Sequence, residues 1–137
     1  MPYISILRFD HWIKNLFVLP GSLIAIIIFD KDVSGILMLN ILIATLAASF
    51  IASANYAINE WLDKDFDALH PDKKFRPAVV GEISSYGVYS LYFLMISLGL
   101  LIGSFVNTYL LISLFVFIIS GLAYNVKPFR AKDLIFF

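Results

Sequence analysis

Asn59-Glu60-Trp61-Leu62-Asp63-Lys64-Asp65-Phe66-Asp67 comes directly after a long apolar run, and the reading of this junction decides the fold. Residues 33–59 contain no Asp, Glu, Lys or Arg. About twenty helical residues cross a hydrocarbon core of roughly 30 Å, so a helix starting near Val33 reaches the far membrane edge around Asn55. Continued to about Leu69, it carries Asn55, Asn59, Asp63 and Asp67 at four-residue spacing, on one face. His70-Pro71 closes it, because the residue before a proline avoids the helical region. Two carboxylates and a carboxamide on one face are the hard oxygen donors that Mg²⁺ takes together with substrate phosphates. At a membrane edge, that pattern predicts an enzyme handling a diphosphate. The plainer alternative is a solvated helix end, where Lys64 and Asp65 show that charge is locally tolerated.

Outward from this junction, the 137-residue chain is 61% hydrophobic and 15% charged, more apolar than an ordinary soluble domain. The apolar residues are clustered. Residues 86–106 and 109–126 are free of charge and long enough to cross a membrane. Residues 15–29 form a shorter run interrupted by Pro20-Gly21. The expected fold is therefore all-α and integral to the membrane, with four transmembrane helices in a single domain, 1–137. If all four runs span, Arg8, Lys14, Lys64, Lys73, Lys74, Arg76, Lys127, Arg130 and Lys132 share one side and only Lys31 lies on the other. The positive-inside rule then places both termini and the 60–82 loop in the cytoplasm, at the plasma (inner) membrane. No cleavage pattern succeeds the N-terminal apolar run, which reads as an uncleaved helix. There is no cysteine, so thiolate chemistry is excluded, and the zero net charge argues against nucleic acid as a partner.

Four polar groups are candidates for chemistry. Asn59, Asp63 and Asp67 form the metal-binding stripe. Lys73, Lys74 and Arg76 come within ten residues of it and could hold phosphate oxygens while Mg²⁺ bridges the acids to the same diphosphate. A basic cytoplasmic loop also arises from topology alone, but Arg76 offers a bidentate fork that a topological signal does not require. His11, Lys14 and Asn15 form a third polar group near the cytoplasmic face, at the end of an interfacial lead-in (residues 5–14) that places Trp12 at headgroup level. Tyr124, Lys127, Arg130, Lys132 and Asp133 return cations to the same face as the stripe. The intramembrane Asn40, Thr45, Ser49, Ser53 and Ser97 read as helix-packing contacts. No ionisable residue lies deep in a span, which counts against an ion pump.

Together these residues resemble the UbiA superfamily of intramembrane prenyltransferases. Its Asn-x3-Asp-x3-Asp signature is similar to Asn59, Asp63 and Asp67, with His70-Pro71, Lys73-Lys74, Arg76-Pro77 and Gly81-Glu82-Ile83 after it. The lead-in Arg8-x2-His11-Trp12-x-Lys14-Asn15 is similar to the branch that moves phosphoribose from phosphoribosyl diphosphate to a polyprenyl phosphate. The segment Tyr124-Asn125-x2-Pro128-x-Arg130-x-Lys132-Asp133 looks more like the general prenyltransferase branch. The resemblance covers nearly the whole chain but only about the first half of a family member. It implies the first part of a nine-helix bundle around a cavity open to cytoplasm and lipid. It also implies Mg²⁺ bound at Asp63 and Asp67 with Asn59 orienting the metal or a diphosphate oxygen. Lys73, Lys74 and Arg76 would receive the diphosphate with help from Lys14, and Tyr124, Lys127 and Arg130 would line the entrance. The second acidic motif of the family lies beyond Phe137.

The implied reaction is transfer of a prenyl group from an isoprenoid diphosphate to a lipid or aromatic acceptor. The alternative is phosphoribosyl transfer to a polyprenyl phosphate. A non-catalytic four-helix subunit or remnant is the rival of another class, and pairing with a second half-bundle stays open. A small multidrug transporter would want a mid-membrane carboxylate. CDP-alcohol phosphotransferases use acidic helical motifs too, but with a Gly-Arg spacer that is not found here.

Overall fold

A computed structural model describes residues 2–126. In chain order the elements are α1 (Pro2–Ser5), a 3₁₀ segment (Phe9–Phe17), α2 (Val18–Ile28), α3 (Gly35–Asp67), α4 (Ser85–Ser104) and α5 (Thr108–Asn125). There is no strand among the described residues. Four stretches are long and apolar enough to cross a membrane: Pro2–Ile28, Gly35–Asp67, Ser85–Ser104 and Thr108–Asn125. These match the four runs expected from sequence, except that the first begins earlier.

The reason lies in the 3₁₀ segment. Such a helix rises about 2.0 Å per residue, so nine residues of it continued by the 11 residues of α2 extend roughly 34 Å. An α-helix over 18–28 alone would extend only about 16 Å. Pro20 lacks the N–H that would join the two pieces into one continuous ladder, so the change of helix type falls just before it. The lead-in is also more than interfacial: Ile6 is fully buried and Leu7 nearly so, both packed with Ala54, Ile58, Ala78, Ile83, Val88 and Met95.

Helix α3 is the spine. Ser34 caps it, its hydroxyl accepting from the Leu37 N–H at 3.2 Å. Its 33 residues extend about 50 Å, some 20 Å more than a hydrocarbon core, so its C-terminal turns overshoot one membrane face. Helix α4 runs antiparallel to it, with a close approach at Gly99, where a Cβ would lie 2.8 Å from Ile51 Cγ1 and 2.9 Å from the Ala47 carbonyl. Small residues let backbones meet closely in this way. Helix α5 returns parallel to α3 and packs Leu114 and Ile118 on Ala47 and Ile51. The C-terminal ends of α3 and α5 therefore share one side of the molecule.

The N-terminal segment is fastened to this frame by matched periodicities. Trp12 Nε1 donates to Ser53 Oγ at 2.9 Å and Asn15 Nδ2 donates to Ser49 Oγ at 2.8 Å. Three residues of 3₁₀ helix and four of α-helix each advance about 6 Å, so 12 and 15 on one element meet 53 and 49 on the other. Ser49 in turn donates to the Thr45 carbonyl at 2.8 Å. Two of the intramembrane hydroxyls, Ser49 and Ser53, thus serve packing between elements, as their sequence positions suggest. Tyr3 lies against Gly87 at the start of α4, and its hydroxyl accepts from the Ser84 N–H at 3.1 Å.

Candidate functional site

The last four turns of α3 carry the acidic stripe, and the 68–84 loop folds back onto it. Beyond Asp67 the chain keeps making short backbone bonds: Ala68 N–H to the Lys64 carbonyl, His70 N–H to Asp67, Lys74 N–H to His70 and Arg76 N–H to Lys73. Pro71 and Pro77 break the ladder at each stage, so the chain coils rather than extends. Gly81, at φ +77°, supplies the left-handed residue that turns it toward α4. The coil returns two cations to the helix end. Arg76 Nη1 donates to Asp67 Oδ2 at 2.6 Å, and Lys73 Nζ lies 3.5 Å from Oδ1.

Asp67 is almost fully buried. A carboxylate at a helix C-terminus sits at the negative end of the macrodipole, and the two cations offset that repulsion. Arg76 makes the stronger contact, short and charge-assisted, whereas Lys73 is longer and more exposed. Lys74 is exposed, with Nζ 5.0 Å from the Phe75 ring centroid rather than on the acid.

Below Asp67, a cavity of about 460 Å³ opens between α3 and α5. Asn55, Tyr56 and Asn59 line it from α3; Phe117, Ser120, Gly121, Tyr124 and Asn125 line it from α5. The two helices meet most closely where a Cβ on Gly121 would collide with the Asn55 carboxamide. Asn55 Oδ1 is buried there with no hydrogen-bond partner among the described residues. Asn125 is buried and donates from Nδ2 to the Gly121 carbonyl at 2.9 Å. Asp63 stands one turn above Asn59 and one below Asp67, and both Asn59 and Asp63 are engaged with partners.

The structure thus joins Asp67 with Lys73 and Arg76, and Asn59 with Tyr124. Lys14 lies exposed on the 3₁₀ segment. Lys127 and Arg130 lie outside the described residues. Among the described residues, no group of three or more His, Cys, Asp or Glu stands together as a cage for a metal. Asn59, Asp63 and Asp67 are of the donor types that Mg²⁺ takes in its sparser shell, one or two carboxylates plus phosphate oxygens and water, and Asp67 is held by Arg76 and Lys73. The negative end of α3 adds to the attraction of a cation.

Two residues matter more than their sequence context suggested. Glu60 is nearly fully buried and its Oε1 has no hydrogen-bond partner among the described residues. The charges of Arg76, Arg8 and Asp67 all reach it. Its signal was the seven-residue spacing to Asp67, which is two turns on one face. Asn125, four residues after Gly121, falls within the segment that resembles the prenyltransferase branch, with no role of its own in that resemblance.

A family model described as the UbiA prenyltransferase family matches residues 17–137. The decaprenyl-phosphate phosphoribosyltransferase of Mycolicibacterium smegmatis is 36% identical over 125 residues, covering 88% of this chain and 38% of that protein. A protein of the same description from Corynebacterium glutamicum is 32% identical over 99 residues, covering 71% of this chain and 29% of that protein. The chain therefore spans well under half the length of these curated relatives.

Proposed function

The chain belongs to the UbiA prenyltransferase family and is an integral membrane protein, and we propose that the protein carrying it transfers phosphoribose from phosphoribosyl diphosphate to a polyprenyl phosphate. The observation that carries this reading is the junction at Asp67. There Arg76 and Lys73 close on Asp67, the last carboxylate of an acidic stripe whose Asn59, two turns earlier, lines a cavity between α3 and α5. The ribosyl donor ranks ahead of an isoprenoid diphosphate because both bacterial relatives are described as phosphoribosyltransferases, one over 88% of this chain. The lead-in from Arg8 to Asn15 supports the same choice.

In the reaction, the bond between the anomeric carbon and the diphosphate oxygen breaks, and its electron pair leaves with the diphosphate. An oxygen of the lipid phosphate forms the new bond to that carbon. Asn59, Asp63 and Asp67 would hold Mg²⁺, which supplies Lewis-acid stabilisation of the departing diphosphate. Lys73, Lys74 and Arg76 donate to diphosphate oxygens as negative charge grows on them. For this, Arg76 and Lys73 exchange Asp67 for the substrate, and the acid they release becomes available to the metal. Tyr124, with Asn55 and Asn59, lines the space that the sugar would enter, and Lys127 and Arg130 would extend the basic entrance. The basic loop and N-terminus face the cytoplasm of the plasma membrane in this reading.

The same seat would serve prenyl transfer from an isoprenoid diphosphate, which the similarity around Tyr124 and Arg130 favours. Membranes holding the protein, given each donor separately with farnesyl phosphate as acceptor, distinguish the two. Label from the ribosyl donor should enter the lipid phase in a Mg²⁺-dependent manner. Transfer from the isoprenoid donor alone would overturn the assignment, and transfer from neither would favour a non-catalytic subunit.

A further inference from the structure

In a helix with three residues per turn, positions three apart eclipse, and this sorts the side chains of the Phe9–Phe17 segment into rows. Phe9, Trp12 and Asn15 form the row fastened to α3 through Ser53 and Ser49. Ile13 and Leu16 lie on a second row and are exposed. His11 and Lys14 lie on the third, prolonged by Arg8 at the N-cap. The Arg8 backbone is left-handed, at φ 51° and ψ 46°, a conformation that side chains other than glycine seldom adopt. That turn brings its guanidinium back onto His11, with Nη2 donating to Nε2 at 2.7 Å.

Arginine can only donate, so Nε2 accepts and a neutral His11 carries its hydrogen on Nδ1. That Nδ1 is buried with no hydrogen-bond partner among the described residues. Lys14 is exposed and forms no ion pair among the described residues. The acid nearby is Asp10, 3.7 Å from Arg8 Nε and 3.3 Å from His11 Nε2, on a mostly exposed side chain. The row also borders the cavity: the His11 ring packs edge-on against Tyr56 at 5.2 Å, and Tyr56 shares the cavity wall with Asn59. At its other end, the Arg8 charge reaches Glu60.

Resting on the phosphoribosyl-transfer reading, we propose that the Arg8–His11–Lys14 row seats the phosphate monoester of the lipid acceptor, separately from the donor's diphosphate at Lys73 and Arg76, so that Lys14 serves the acceptor and not, as the family resemblance implies, the diphosphate. A monoester carries nearly two negative charges at neutral pH. It must approach a diphosphate that already engages the cations of the 68–84 loop. A second set of cations on another element offsets that repulsion and fixes the approach. On the neighbouring row, beyond Asp10, Ile13 and Leu16 offer an exposed apolar track, and the exposed Phe17 ends the basic row itself. A cationic row against an apolar row fits an amphiphile with a phosphate head and a prenyl tail.

The test is binding of labelled farnesyl phosphate, and separately of phosphoribosyl diphosphate with Mg²⁺, to the protein in zwitterionic nanodiscs. Lys14→Gln alters an exposed side chain, and Arg8→Gln is measured beside it, with the melting temperature of each checking the fold. Both variants should weaken farnesyl phosphate about tenfold or more and leave the ribosyl donor within about twofold. Arg76→Gln should do the reverse. Unchanged farnesyl phosphate binding in Lys14→Gln overturns the proposal, as does an equal loss of donor affinity, which would mean one shared anion site. Equal displacement of farnesyl phosphate by phosphatidic acid also overturns it, since the row would then be a bilayer headgroup contact. If the wild type ignores the ribosyl donor yet binds farnesyl phosphate through Lys14, the donor reading fails and this site stands.

Discussion

Replacing Asp67 by Asn and Arg76 by Gln, singly and together, isolates the contact that closes the basic loop onto α3. The Arg76 bond is short, at 2.6 Å, and its acid is buried. A hydrogen bond to a charged group contributes about 1.5–3 kcal/mol. Arg76 keeps 26% of its side chain exposed and rehydrates when the acid is removed, so the lower end of that range applies. Lys73, at 3.5 Å and 44% exposed, adds no more than about 0.5 kcal/mol. Against this, removing an acid from a helix C-terminus returns about 0.3–1 kcal/mol. Asp67→Asn should therefore destabilise by about 1–1.5 kcal/mol, and the double-mutant cycle should give a coupling of about 1–2 kcal/mol. The assay is unfolding in mixed micelles by added SDS, monitored by the fluorescence of Trp12 and Trp61. Effects that add to within about 0.5 kcal/mol would refute the pairing.

Other consequences are open to direct measurement. Trp12→Phe removes the donor to Ser53 and should cost about 1 kcal/mol in the same unfolding assay, with little further loss when Ser53→Ala is added. Gly121→Leu drives a side chain into Asn55 and should cost about 1–3 kcal/mol and weaken donor binding, since both helices wall the cavity. Gly81→Ala forces a left-handed alanine at φ +77° and should cost about 1 kcal/mol without altering the metal requirement. Because the chain has no native cysteine, Lys31→Cys and Lys74→Cys can be labelled individually in sealed vesicles, and a membrane-impermeant maleimide should reach them from opposite sides.

How much was legible in the sequence varies by element. Helices α3, α4 and α5 were readable because long charge-free runs admit one solution in a membrane, and the acidic stripe because four-residue spacing lines up a helical face. The first span was less so. Its 3₁₀ portion depends on matching Trp12 and Asn15 to Ser53 and Ser49, which is a relation between two elements and leaves no periodic mark of its own. The basic loop could be expected to face the stripe, but not that Arg76 and Lys73 would close on Asp67. That closure depends on the coil that Pro71, Pro77 and Gly81 impose. Glu60 escaped notice because, beside Asn59 in a charged segment, a glutamate reads as solvated, whereas it is nearly fully buried and bonded to the Ala78 backbone.

The central claim is that Asn59, Asp63 and Asp67 form a metal-dependent seat for a diphosphate. Titration calorimetry of phosphoribosyl diphosphate into the protein carrying this chain, with Mg²⁺ or with EDTA, for wild type and Asp63→Asn, tests it most directly. The account predicts binding in Mg²⁺ that EDTA abolishes and that Asp63→Asn weakens by about tenfold or more. Binding that ignores both the metal and the substitution would contradict it.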